Sequence, residues 1–436
     1  MTRQVEPTTA DVFEPEPQEV DEWVRMLSYV QIATGLVAML VGLGLIIIAS
    51  IDAALGTIGV GGLLGALIVQ LLPFALLGTF LFFLGQELGA MEEWAFPWVM
   101  YGNLITIGAY FLLIPNLALI SLVNVIPIFL LFTPRIREHW LELFREDMKP
   151  RMKETRYSLY LIRRSPLVVV GLVIIVAFLV MAIFAPFLVH YGESPYVIPR
   201  FYDHRLEPPN ARFWFGTDYL GSDIYSSVIW GAQIDIRIAV SVVGVALVIG
   251  TLLGAFAGYS GGWIDEVMMR ITDVFFAFPG LILAMAVVAA LGGRSLDNIS
   301  IALMFVWWPA YARLVRGQVL MEREKLYVEA ARSVGATDAR ILIFHILPNT
   351  IQPVIVQATL DMGGVLLTAA GLSFIGYGAE PGTAEWGLMI SDGQQYFERW
   401  WVTVFPGMAI LLCALAFNLV GDGVRDILDP KLRRRA

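Results

Sequence analysis

The chain has 436 residues, of which 58% are hydrophobic and only 15% charged, with a mean hydropathy of +0.71. No soluble domain of this size has that balance, and continuous rather than alternating apolar runs exclude a β-barrel. The formal charge of −9 comes from an acidic tail and loops and gives no support to nucleic-acid binding.

Residues 1–27 interleave Pro and Glu with little to bury, which predicts a disordered acidic tail without a cleavable signal peptide. Residues 28–132 form an N-terminal transmembrane block, with apolar runs near 28–51, 61–84 and 98–132. The third run is too long for one span and is interrupted at Pro115-Asn116. Two short helices are expected there, with one long tilted helix as the alternative, giving three or four spans.

Residues 133–165 hold nine Lys/Arg, and Ile136, Trp140, Leu143, Phe144 and Met148 make an apolar stripe that ends at Pro150. An interfacial amphipathic helix on the cytoplasmic side is expected, or a helix bound to a partner subunit. Further runs fall near 166–190, 236–258, 274–292, 298–315, 350–376 and 401–420. The fold class is therefore all-α, a polytopic bundle of about 10 spans: four N-terminal and a core of six over 166–436.

The loop 316–347 carries Arg316, Arg323, Lys325, Arg332 and Arg340, and the chain ends in Lys431 and Arg433–435. Both belong on the cytoplasmic side, so 191–235 and 377–400 face outward. The same parity puts the N-terminus inside if the first block has four spans, although its short loops lack Lys and Arg.

Inside the basic loop stand Glu329-Ala330-Ala331, then Gly335, then His345-Ile346-Leu347-Pro348-Asn349. Ala330 and Ala331 favour a helix and let a partner approach closely, while Gly335 suits a left-handed C-cap. Tyr327, Ala331 and Val334 fall on one face at helical spacing. Such a helix has no membrane role of its own. It is either gripped by a cytoplasmic partner or an ordinary interfacial helix.

Gly216, Thr217, Asp218, Gly221 and Asp223 predict a tight external turn in which Asp and Thr cap local amides. That turn either is structural or docks an external protein. Gly250, Gly254 and Gly258 form a small-residue face for close helix packing. Asp422, Arg425, Asp426 and Asp429 are expected past the last span, capping the helix end. Asp361 is the one carboxylate expected deep in a span, beside Gly363-Gly364. It lines a translocation path or a subunit interface, or it pairs with Gln352 or Gln357.

The spacing Glu-Ala-Ala, three residues, Gly, nine residues, then a position two before Leu-Pro resembles the loop signature of ABC importer membrane subunits. From about residue 160 onward the chain resembles the C-type permease of the dipeptide, oligopeptide and nickel family. Further segments carry the likeness: Arg163-Arg164-Ser165-Pro166, the stretch from Phe213 through Gly216-Thr217-Asp218 to Asp223, Leu372-Ser373-Phe374-Ile375-Gly376, and Trp386-Gly387. Asn418 to Asp426 and Leu428-Asp429-Pro430 complete it. The chain departs from that family at Ser222, where an Arg is common, at Ala369, where many have Glu, and in its first 130 residues.

The resemblance implies a plasma-membrane permease subunit, with a cytoplasmic C-terminus, that imports di- or oligopeptides by alternating access. Oligosaccharides or nickel are alternative cargoes. Glu329, Ala330, Ala331, Gly335, His345, Leu347 and Pro348 would couple to the ATPase. The implied partners are a sister permease, two cytoplasmic ATPase subunits, an external binding protein and lipid. No Gly-x4-Gly-Lys-Ser/Thr loop occurs in the sequence, so ATP and Mg are expected on the partner ATPases, with no cofactor in this chain. A membrane enzyme lacks support: Cys413 is alone, and His139, His190, His204 and His345 are scattered. An ion-coupled carrier would need more mid-span charges than Asp361.

Overall fold

The computed structural model describes residues 24–38, 78, 81–82, 99, 102–104, 106, 123–131, 162, 165–192 and 194–428. The acidic tail up to residue 23, most of the first apolar block, the basic linker helix near 136–148 and the tail from Asp429 onward lie outside the described residues. The chain divides into two units. In the first, helix α1 (Val24–Ala38) buries Gln31, whose Oε1 accepts a 2.8 Å hydrogen bond from Asn103 Nδ2. Asn103 Nδ2 also donates to the Val99 carbonyl at 2.6 Å. Pairing amides in this way offsets the cost of polar groups in apolar surroundings. Helix α2 is Val125–Leu131.

The second unit is the larger. Helix α3 (Pro166–Leu188) opens with Pro at its first position, where a missing N–H costs nothing. Helix α4 (Ile224–Ser260) stops at Gly261, φ +65°. Next come α5 (Gly262–Phe276) and α6 (Gly280–Ala290), which meet at 90°. Then follow α7 (Leu296–Glu322), the short α8 (Leu326–Ser333) and α9 (Asp338–Ile375). Helix α10 (Trp386–Gly393) lies between spans, and α11 (Trp401–Leu428) ends the described chain. By length and composition α3, α4, α7, α9 and α11 can each cross a membrane, and the bent α5–α6 pair makes a sixth crossing if counted as one. Counted that way, the described residues hold six candidate crossings, one of them broken.

The centre of the unit is the crossing of α4 and α7. A Cβ added at Gly250 would meet Tyr311 and the Trp308 carbonyl, one at Gly254 would strike the Ala312 carbonyl, and one at Gly258 would sit 3.0 Å from the Arg316 carbonyl. The two helices thus run parallel, backbone against backbone, with Tyr311 fully buried between them. Helix α11 repeats the device: Gly171 of α3 meets Leu419 and Ala416, Gly363 of α9 meets Ala414, and Gly421 meets Leu360.

Several boundaries differ from the sequence reading. Helix α4 starts at Ile224, twelve residues before the apolar run at 236, because Asp223 caps it, Ser226 and Ser227 bond back to Asp223, and Asp235 Oδ2 accepts from the Trp386 amide. The run at 274–292 breaks at Ala277-Phe278-Pro279, since Pro279 offers no N–H and restrains Phe278. Helix α11 continues to Leu428, so Asp422, Arg425 and Asp426 belong to its last turns and are not a cap beyond it.

Gly254→Val is expected to force α4 and α7 apart, costing about 1–3 kcal/mol as overpacking does. A drop in melting temperature of the detergent-purified chain would show it, and Gly317→Ala, where a Cβ meets nothing within 4 Å, serves as the control.

Candidate functional site

Helix α8 is short and would not hold its shape alone. Its C-terminus is closed by a Schellman motif: the Gly335 amide donates to the Arg332 carbonyl at 2.9 Å and the Ala336 amide to the Ala331 carbonyl at 3.1 Å. Gly335 has φ +85°, and a Cβ there would meet nothing within 4 Å. Glycine is needed at this position for its dihedral and not for space.

Tyr327 ties the helix to two spans of the bundle. Tyr327 donates from its hydroxyl to Glu322 Oε2 of α7 at 2.7 Å and accepts from Asn349 Nδ2 of α9 at 3.3 Å. Burial pushes the Tyr327 phenol above its ordinary range, and the bond to Glu322 adds to this. Lys325 Nζ donates to Glu322 Oε1 at 2.5 Å, completing the cluster. Farther along the loop the Tyr259 hydroxyl of α4 donates to Asp338 Oδ1 at 2.5 Å, and Arg323 Nη1 donates to the Gly258 carbonyl at 3.0 Å.

Val328 is fully buried, and Tyr327 and Ala331 pack against the core. Val334, expected on the same face as Tyr327 and Ala331, is instead 84% exposed, because the chain leaves the helix just before it. The outward stripe is Leu326, Ala330 and Val334, with Leu326 82% exposed. Glu329 also faces out. Among the described residues its carboxylate has no hydrogen bond or ion pair, while its main-chain carbonyl accepts from Ser333 Oγ at 3.0 Å.

After Gly335, Thr337 caps a helical turn that widens into a π-helix over Ile341–Ile346. The Leu347 amide reaches back five residues to the Leu342 carbonyl. Pro348 then supplies no donor, and Asn349 Nδ2 takes the His345 carbonyl at 2.7 Å. His345, Leu347 and Pro348 therefore set the shape of the entry into α9, while Glu329, Ala330 and Val334 present surface.

The turn Gly216–Asp223 is closed upon itself. Asp218 Oδ1 accepts from the amides of Leu220 and Ser222 at 2.8 and 2.7 Å. Burial nevertheless raises the Asp218 carboxyl above its usual range. Thr217 Oγ1 accepts from the Glu207 amide at 2.9 Å, and Trp401 Nε1 donates to the Thr217 carbonyl at 3.3 Å. Asp223 Oδ2 accepts from the Ser226 amide at 3.1 Å, making it the N-cap of α4. Cβ atoms on Gly216 and Gly221 would collide with Glu207 and Phe201. The polar side chains of this turn are occupied in holding it together.

Asp361 is half-buried on α9 and accepts from Gln357 Nε2 at 3.0 Å, one of the two glutamines foreseen as its partner. Tyr311 and Trp307 of α7 face it. Neither aromatic is marked out by the sequence pattern. Trp307 also lines a cavity of about 510 Å³ with Phe276, Leu281, Val306 and Leu367. Asp361 is not the lone mid-span carboxylate: Asp235 lies fully buried inside α4. Among the described residues no group of His, Cys, Asp and Glu is placed to hold a metal.

The second unit is thus a helical bundle of candidate membrane spans with a capped, braced helix between two of them. Residues 250–434 match the family described as binding-protein-dependent transport system inner membrane component, and residues 156–209 match the N-terminal TM domain of oligopeptide transport permease C. The chain is 45% identical to a probable D,D-dipeptide transport system permease of Escherichia coli K12, covering 64% of this chain and 94% of that one. It is 43% identical to a dipeptide transport system permease of Alkalihalophilus pseudofirmus, covering 66% and 93%. A glutathione transport system permease of Escherichia coli O6:K15:H31 is likewise 43% identical, covering 62% and 88%. The chain belongs to this family, as a C-type permease subunit of a peptide-type ABC importer. Such subunits are multi-pass membrane proteins without catalytic activity of their own, and the ATPase is a separate chain.

Tyr327→Phe is expected to leave Glu322 short of a donor at a cost of about 1–3 kcal/mol. Hydrogen exchange should rise in α8 and around Asn349 of α9 while α4 and α7 stay protected. Uniform protection of α8 in the variant would contradict the brace.

Proposed function

We propose that α8 is the coupling helix through which a cytoplasmic ATPase drives this permease. The observation that carries the reading is the outward stripe of Leu326, Ala330 and Val334 beside an unpaired Glu329, on a helix otherwise fixed at both ends. Apolar surface held rigid at a loop tip loses little ordering entropy when a partner covers it. The basic residues of the loop support a cytoplasmic location for it and for the C-terminus, and so an outward location for the Gly216–Asp223 turn.

Two ATPase subunits would close on ATP and move the loops of this chain and a sister permease, opening the path between the two toward an external binding protein. The cargo we assign is a di- or oligopeptide, since the similar permeases are named for D,D-dipeptides, dipeptides and glutathione. Asp361, with Tyr311 and Trp307 beside it, is the candidate for contact with cargo or with the sister subunit. The closed hydrogen bonding of the Gly216–Asp223 turn favours a structural role for it over docking. The domain reading keeps 28–132 as an added membrane block ahead of the linker 133–165 and the permease core.

Ala330→Glu puts an unpaired charge into the proposed contact without touching the bundle. Recovery of the ATPase with the affinity-purified chain should fall by about tenfold or more, as for a buried uncompensated charge. Equal recovery from wild type and variant would refute the docking face. In reconstituted vesicles Asp361→Ala should slow dipeptide uptake, and unchanged uptake would remove Asp361 from the path.

A further inference from the structure

Two carboxylates meet in the interior at the start of α10. Asp235 of α4 is 2% exposed and Glu385, the N-cap of α10, is fully buried. Glu385 Oε1 accepts from the Gly387 amide at 2.9 Å and Oε2 from the Leu388 amide at 2.7 Å. Asp235 Oδ2 accepts from the Trp386 amide at 3.2 Å. The remaining oxygen, Asp235 Oδ1, is buried with no donor on it, while the two side chains lie within hydrogen-bonding reach of each other.

Two ionised carboxylates in contact inside an apolar bundle would repel each other with little solvent to screen them. No cation relieves them: among the described residues no Lys, Arg or His pairs with either. The groups that face them are the Ser373 hydroxyl from α9, toward Glu385, and the Cys413 thiol from α11, toward Asp235. From α3 the ring of Phe178 approaches, edge-on to Trp386 at 5.6 Å.

We infer that Asp235 and Glu385 form a proton-binding site that fastens α10 to α4. Hydrogen bonding assigns the proton. Both oxygens of Glu385 already accept from amides, so Glu385 is the anion. Asp235 Oδ1 is the free oxygen, so it carries the hydrogen and donates to Glu385. The site sits at a tight junction. Trp386 Nε1 donates to the Val228 carbonyl at 3.0 Å, and a Cβ on Gly387 would collide with Ala370 of α9. Loss of the proton would therefore set a second, uncompensated negative charge on Asp235 of α4 against the anionic Glu385 that caps α10.

The sign of the pH dependence follows. With both Glu385 oxygens held by amides and Asp235 Oδ1 buried beside them without a donor, the folded pair keeps a proton that the unfolded chain gives up at about pH 4. The stabilisation is complete below that point and is lost as pH rises through the pair's own higher value.

The test compares the full purified chain with Asp235→Asn and Glu385→Gln by infrared spectroscopy and thermal melting, at about pH 5 and about pH 8, above the ordinary carboxylate range. Asparagine supplies a permanent N–H in place of the proton. Asp235→Asn should fold, melt at least as high as wild type at the upper pH, lose the pH slope and lose a protonated-carboxyl stretch. Glu385→Gln sets an NH₂ against the amides of α10 and should melt lower at both pH values. The proposal is overturned if wild type shows no protonated-carboxyl band at the upper pH, or if Asp235→Asn retains that band. Failure to recover Asp235→Asn folded, or melting of Glu385→Gln above it, would overturn it equally.

Discussion

Everything at the loop end of the bundle depends on the close approach of α4 and α7. With no hydrophobic effect to press helices together inside lipid, their association rests on van der Waals contact and on how near the backbones can come. Gly250, Gly254 and Gly258 allow Ala312 and the carbonyls of Trp308 and Arg316 to seat directly against α4. That contact fixes where α7 ends and therefore where Glu322 stands. Glu322 places Tyr327, Tyr327 places α8, and Asn349 ties the same hydroxyl to α9. A push on α8 is thus delivered to two spans at once through one phenol.

The opposite loops solve a different problem with the same economy. Their polar residues are spent on themselves: Asp218 on two amides, Thr217 on Glu207, Asp223 on the start of α4. Aromatic rings fill the space beneath, with Phe213 fully buried and Phe215 stacked on Phe405 at 4.0 Å between centroids. A surface already satisfied in this way offers a partner shape more than hydrogen bonds.

Much of this was legible in the sequence where glycine or proline carries the signal. Gly335 announces a left-handed cap, and Gly250, Gly254 and Gly258 announce a close crossing, because few other residues do either job. Hydropathy was less informative at boundaries. A serine-rich stretch before residue 236 reads as loop, yet Ile224–Asp235 is helix, since its hydroxyls bond back to the chain and its carboxylate finds Glu385. That one boundary hid Asp235 and left Asp361 looking solitary. Val334 was misjudged for a related reason: helical spacing was carried one residue past the last turn. The roles of Tyr311, Trp307 and Tyr327 depend on partners remote in sequence, which no local pattern contains.

The widened turn at Ile341–Ile346 makes the number of residues between Gly335 and Leu347-Pro348 a geometric constraint. A helix advances about 100° and 1.5 Å per residue. Deleting one residue from that turn would rotate everything after it by the same angle relative to α8. Asp361 would swing away from Tyr311, and Asn349 away from Tyr327. The interval from Gly335 to Leu347 is in this sense a phase setting: it keys the azimuth of a 29-residue helix, Leu347–Ile375, to the orientation of an eight-residue one. An insertion here would likewise retime the two helices against each other.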